Sequence, residues 1–267
     1  GLVAYYDHAI ELGVEDKETM DYVYEAFAAM TEDHSVEEWL GLILKCGEIN
    51  LRVMGLLYDG HEGRYGVPKP TVVRTTPIAG KSILISGHDL RDLESLLVQT
   101  EHKNINVYTH GEMLPAHGYP GLKERFPHLV GNYGGAWQLQ KKEFAAFPGP
   151  IVLTTNCLLP PTKKYIDRTW SMNAVGSDDV KHIVGRDFTP VIAQAHAEPG
   201  FEKDEPEETT MTGFGHKAVL GLAPEIIGAV KEGKIKKFVL IGGCDGYEME
   251  RSYYHDLAMG MPDDAVV

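Results

Sequence analysis

The chain has 267 residues, enough for one to three domains with a sizeable core. Its 25 basic against 39 acidic side chains give a formal charge of -14, which disfavours attraction to phosphate backbones or anionic lipid, so no nucleic-acid partner is expected. No apolar run approaches the roughly 18 residues of a membrane span, and the first residues show no basic stretch followed by a small-residue cleavage site, so neither a membrane segment nor a secretory signal is expected. The three cysteines, Cys46, Cys157 and Cys244, are far apart and form no CxxC pair. That pattern is neither a disulfide framework nor a self-contained zinc site, and it fits a reducing cytoplasm.

The first 65 residues read as a helical bundle segment. Residues 21–30, DYVYEAFAAM, place Tyr22, Val23, Phe27 and Met30 on one stripe with a period near 3.6. A second helix is expected after Ser35, with Glu38 in the capping-box position, running through VEEWLGLILKCGEINLRVMGLLYDG and closing at Asp59-Gly60. Cys46 lies inside it among Leu42, Ile43, Ile49 and Leu51 and reads as core; Asp7 and His8 read as helix surface.

The character changes at Gly66-Val67-Pro68-Lys69-Pro70. From there to residue 212 the short apolar runs SILISG, NINVYTH, HLVGNY and PIVLTTNC alternate with helix-like DLRDLESLLVQT and QLQKKEFAAF. Buried parallel strands with crossover helices give that pattern, so 66–212 is expected to be a Rossmann-like parallel-sheet α/β domain. Residues 198–212, EPGFEKDEPEETTMT, read as a solvated excursion or domain joint. Residues 213–267, with a helical stretch followed by the strand-like KKFVLIGG, are expected to open a second, incomplete α/β domain.

In parallel α/β folds ligands bind beyond the carboxyl ends of strands, which singles out His88 after SILISG, Glu112 after NINVYTH, Cys157 at the end of PIVLTTNC and Cys244 after FVLIGG. Each has an ordinary alternative: a capping histidine, a loop carboxylate, two buried thiols. Together, one imidazole, one carboxylate and two thiolates make a mixed N/O/S donor set suited to a redox metal, although a tetrahedral zinc site is also chemically open to it. There is no GxxxxGK[ST], no GxGxxG after a strand and no HExxH.

GHDLRDLESLLVQT, VYTHGEMLPAHGYP, VGNYGGAWQLQKKEF, GPIVLTTNCLLPP and FVLIGGCDG, in this order, resemble the hybrid-cluster proteins, also called prismane proteins or hydroxylamine reductases. The resemblance covers nearly the whole chain. It implies a hybrid iron–sulfur–oxygen cluster with His88 and Glu112 as the histidine and first glutamate ligands, Cys157 as the first cysteine ligand and Cys244 as the persulfide-bearing one. Glu112 and Cys244 would be the catalytic pair. It also implies reduction of a small nitrogen species, hydroxylamine to ammonia or nitric oxide to nitrous oxide, with electrons from a redox-protein partner. The family's second iron–sulfur cluster is held by an N-terminal cysteine motif, and two further cysteines and a glutamate lie downstream; none of these occurs here. The resemblance therefore implies an internal portion completed by flanking domains. Two other readings stand beside it: a catalytically inactive α/β scaffold lacking a complete cluster, and a relative of the nickel–iron–sulfur carbon monoxide dehydrogenases.

Overall fold

A computed structural model of the chain describes residues 1–155, 158–243, 245–246 and 250–267. It opens with three helices, α1 (Leu2–Glu11), α2 (Lys17–Ala29) and α3 (Val36–Tyr65). Asp16 caps α2, accepting the Thr19 N–H at 2.9 Å, and the same carboxylate receives Arg52 from α3 at 2.7 and 2.9 Å. Ser35 and Glu38 form the reciprocal capping box that starts α3. Tyr6, Ala9, Tyr22, Ile49 and Val53 make a small core between the three helices.

Three expectations change here. The third helix does not close at Gly60 but continues to Tyr65. Gly60 serves a close approach, since a Cβ on it would stand 3.1 Å from Val14 and 3.2 Å from Leu12 in the α1–α2 turn. Of the apolar stripe on α2, Tyr22 is buried but Phe27 and Met30 are exposed. Around Cys46 only Ile49 is fully buried; the cysteine is half-buried, and Ile43 and Leu51 face outward.

Beyond α3 comes an eight-stranded sheet: β1 (Thr71–Arg74), β2 (Lys81–Ser86), β3 (Ile105–His110), β4 (Leu129–Asn132), β5 (Ile151–Leu153), β6 (Thr169–Met172), β7 (Lys181–Ile183) and β8 (Thr209–Thr212). Their order is β7-β6-β5-β2-β3-β4-β1-β8, all parallel except β8, which runs antiparallel to β1 at the edge. The helices between strands are α4 (Leu90–Thr100), α5 (Pro120–Lys123), α6 (Gln140–Ala146) and, after β7, α7 (Thr189–Ala197). Ile83, Ile85, Leu93, Leu97, Val107 and Phe126 belong to the larger core, and Leu84, Tyr108, Phe144, Phe147 and Ile151 to a second on the opposite face of β2 and β3. Residues facing both ways from β2 and β3 are buried, which is why these strands read as unbroken apolar runs.

The fold is therefore mixed α/β, with N-terminal helices and a mostly parallel sheet. The full alternation of strand and crossover helix is absent: among the described residues β5 and β6 are joined through a three-residue 3-10 turn, Ile166–Arg168, and no helix separates β6 from β7. Residues 198–212 are not merely a solvated joint. Phe201 packs against Tyr108 and Phe147 and bridges to Gly80, and Thr209–Thr212 supply the antiparallel edge strand. Polar side chains suit an edge strand, which is open to water on one side.

The last part carries α8 (His216–Gly221), α9 (Ala223–Lys231), α10 (Tyr253–Met259) and a two-stranded parallel pair, β9 (Lys237–Phe238) with β10 (Ala265–Val266). The expected strand FVLI is paired only at its start, and Leu240 is 96% exposed. Among the described residues no helix is long and apolar enough to cross a membrane.

Candidate functional site

The strand order reverses between β2 and β5: the chain proceeds from β2 outward through β3 and β4, then returns to place β5 on the other side of β2. Such a switch point leaves a crevice at the carboxyl ends of the two strands. The turn after β2, Gly87-His88-Asp89, stands there against Thr154 and Thr155 after β5. Gly87 adopts φ +136°, and a Cβ on it would fall 2.1 Å from Thr154 Oγ1 and 2.8 Å from Thr155 Oγ1, so only glycine lets the two strand ends meet.

That approach fixes His88. Its backbone N–H donates to Thr155 Oγ1 at 2.8 Å, and its Nδ1 lies 3.0 Å from the same hydroxyl. Its other nitrogen, Nε2, meets the Glu112 carboxylate, which extends from the turn after β3. A carboxylate only accepts, so Nε2 carries the proton in this contact and a neutral ring takes the Thr155 hydroxyl hydrogen at Nδ1. A hydroxyl both donates and accepts, so Thr155 serves the opposite tautomer equally well, the one that leaves Nε2 free for a metal. Glu112 has a side chain 58% exposed, whereas that of His88 is 28% exposed. The pair thus joins a held imidazole to a carboxylate with room to turn.

Beside His88 lies a cavity of about 360 Å³, lined in part by His8, Asp89, Thr155, Asn173 and Arg186. Asp89 caps α4 through the Arg91 and Asp92 N–H groups and lies 3.2 Å from His8 Nδ1. That contact raises the His8 pKa; burial pushes Asp89 up, but His8 and the helix N–H groups outweigh it and hold the carboxyl low. Asp92, fully buried, is pushed up to about 6 by burial and by Asp89, against the pull of Arg186 at 2.6 Å and Asn173 at 2.8 Å. Arg186 also reaches Glu11, tying α1 to the rim. His8, expected on the helix surface, is instead part of this tie.

Of the four strand-end residues, His88 and Glu112 are brought together. Cys157 and Cys244 lie outside the described residues. Among the described residues no group of three or more His, Cys, Asp or Glu side chains is arranged to hold a metal ion. Sequence reasoning did not single out Thr155, Asp92 or Arg186. The available signals were slight: Thr-Thr before Asn156, and an aspartate at the capping position directly after His88.

A mostly parallel α/β sheet behind N-terminal helices, with an imidazole and a carboxylate meeting at neighbouring strand ends, defines a mixed α/β protein with its candidate site at the strand ends. The chain belongs to the prismane/CO dehydrogenase family, whose model matches residues 1–267. It is 53% identical to a hydroxylamine reductase of Rhodospirillum rubrum over 100% of this chain and 49% of that protein. It is 52% identical to one of Geobacter sulfurreducens (100% and 48%) and 51% identical to one of Thermodesulfovibrio yellowstonii (100% and 49%). The chain thus spans about half the length of these curated relatives. A solved structure titled "NiZn[Fe4S4] and NiNi[Fe4S4] clusters in closed and open alpha subunits of acetyl-CoA synthase/carbon monoxide dehydrogenase" shares the fold, with a TM-score of 0.62 over 89% of this chain and 41% of that one at 12% identity.

Proposed function

We propose that this chain is the ligand-bearing scaffold of an iron–sulfur oxidoreductase of the hydroxylamine reductase type, and that by itself it is catalytically inactive. The observation that supports this is the meeting of His88 Nε2 with the Glu112 carboxylate at the ends of β2 and β3, with the second imidazole nitrogen against Thr155. Imidazole and carboxylate are a fitting part of a mixed-donor iron site, but two donors do not close one, and the described residues bring no third to them. Cys157 and Cys244 would add thiolates, with Cys244 as the persulfide-bearing residue, and flanking domains would supply the remaining ligands and a second iron–sulfur cluster.

When bound, the hybrid iron–sulfur–oxygen cluster would supply electrons and open iron coordination for reducing hydroxylamine to ammonia or nitric oxide to nitrous oxide. In that setting His88 is a fixed donor whose orientation Thr155 sets, and Glu112 is a hard oxygen donor able to turn. The crevice between β2 and β5 is where a Rossmann-like sheet would take its group. Electrons would come from a redox-protein partner in the cytoplasm. The alternative of a nickel–iron–sulfur carbon monoxide dehydrogenase draws on likeness of fold alone.

Oxygen-free metal analysis of the isolated chain and of the protein as encoded, with its native flanking sequence, tests the reading. The isolated chain should hold less than stoichiometric iron and reduce no hydroxylamine. The encoded protein should hold cluster iron, and His88→Ala and Glu112→Ala should each lower both iron content and rate. Unchanged iron and rate in both variants would sink the assignment; activity that follows nickel would favour the carbon monoxide dehydrogenase reading.

A further inference from the structure

Behind the His88–Glu112 pair runs a second chain of polar side chains. Ser86 ends β2, His110 ends β3, and the two are register partners in the parallel sheet. Each stands two residues before a proposed ligand, Ser86 before His88 and His110 before Glu112. Ser86 Oγ lies 3.2 Å from His110 Nδ1, and His110 Nε2 lies 2.8 Å from Glu143 Oε2 on α6. The other oxygen of Glu143 accepts the Gly135 N–H at 2.9 Å. Gly134 adopts φ +76°, and a Cβ there would fall 2.6 Å from the Glu143 carboxylate, so this loop is shaped around that side chain. Gly135 and Trp137 in turn wall a cavity of about 460 Å³ on the Glu112 side.

The order serine, imidazole, carboxylate is that of a hydrolytic triad, but the surroundings exclude that use. The His110 side chain is 0% exposed with its ring edge-on to Phe144 at 4.8 Å, and Ser86 is buried, so no substrate reaches the hydroxyl. A buried, mutually satisfied network of this kind rigidifies the groups it joins. We infer that Ser86, His110 and Glu143 are positioning residues for the metal centre: they lock the two ligand-bearing turns in register and pin the Gly134-Gly135 loop against the Glu112 side. This rests on the proposed function for what is being positioned, but not for the locking itself.

The Glu143 carboxylate accepts from both His110 and Gly135, and Glu143→Ala removes both links. Glu143→Gln can keep both, its oxygen accepting the Gly135 N–H and its NH2 donating to His110 Nε2 in the other tautomer, with Ser86 accepting from Nδ1. Amide hydrogen exchange of residues 111–114 and 134–137, in the protein as encoded, should rise about tenfold or more in Glu143→Ala, which loses the charge-assisted hydrogen bonds, and stay closer to wild type in Glu143→Gln. Ser86→Ala, which removes only the outer link, should give a smaller rise confined to 111–114. Ile83→Val, a core change in β2 outside the network, should lower the melting temperature without moving either segment. Where iron is bound, Glu143→Ala should also alter the paramagnetic signal of the centre and lower kcat with KM little changed. Wild-type exchange at both segments in Glu143→Ala, or in Ser86→Ala should the first variant fail to fold, overturns the positioning role. A wild-type protein without cluster iron would overturn the proposed function instead, and the exchange measurement would still decide the locking.

Discussion

SILISGH and FVLIGGC look alike in sequence: an apolar run, small residues, then a candidate donor. In the structure they differ completely. SILIS is β2, flanked on both sides by parallel partners and buried from Ser82 to Ser86. FVLI begins in a two-residue strand, and Leu240 is almost fully exposed; from 213 onward no described residue is buried. Apolar β-branched composition makes a strand possible, but neighbours on both edges and both faces supply the hydrogen bonds and the burial that hold it.

Side-chain truncation should separate these two regions most strongly. Leu93, on α4 and fully buried in the larger core, should cost about 2–5 kcal/mol as Leu93→Ala, whereas Leu240→Ala should stay within about 0.5 kcal/mol. Chemical denaturation of both variants measures the gap; equal costs would mean that residues around 240 are as well packed as β2.

Acid should act next most strongly, through His117. Its Nε2 lies 2.9 Å from Thr109 Oγ1, which gives its own hydrogen to Asn132, so Nε2 carries the ring proton. Burial lowers the His117 pKa to about 3. The unfolded chain takes up a proton near the ordinary histidine value of about 6.5, and the folded chain does not until about 3. Stability contributed by the neutral ring is therefore intact above about 6.5 and is lost progressively as pH falls toward 3, with a loss of about 2–3 kcal/mol by pH ~4.5. His117→Gln should flatten that slope; an identical pH profile would show that His117 titrates normally.

The smallest effect falls on the turn itself. Thr155→Val removes the hydroxyl that binds both the backbone N–H and Nδ1 of His88 and should cost about 1 kcal/mol, with Thr155→Ser close to wild type. Imidazole nitrogen shifts would report the change at His88. If the ring signals did not move in Thr155→Val, the hydroxyl does not orient it.

Local signals were legible wherever a few neighbouring residues decide the outcome. The Ser35–Glu38 box, the helix in DLRDLESLLVQT and the strands β2, β3 and β5 follow from side chains within one turn or one apolar run. The short strands TWSM, KHI and TTMT were not legible, because their polar residues become strands only by adding to an existing edge. The end of α3 was misjudged because Gly60 answers to Leu12 and Val14, some 46 to 48 residues away in sequence. Glu143 went unnoticed for the same reason, since nothing near it in sequence points to His110.

Which residues stand just past the apolar strands can be read from the chain alone, because strand ends are written in local composition and periodicity. The family is legible there too, through long motifs in a fixed order. Three-dimensional packing alone makes the turns after β2 and β3 face each other, sets Thr155 against the imidazole and puts a buried serine, histidine and glutamate behind the pair. Those contacts join residues 24 to 67 positions apart, and the sheet's strand order, rather than any local preference, brings them within hydrogen-bonding reach.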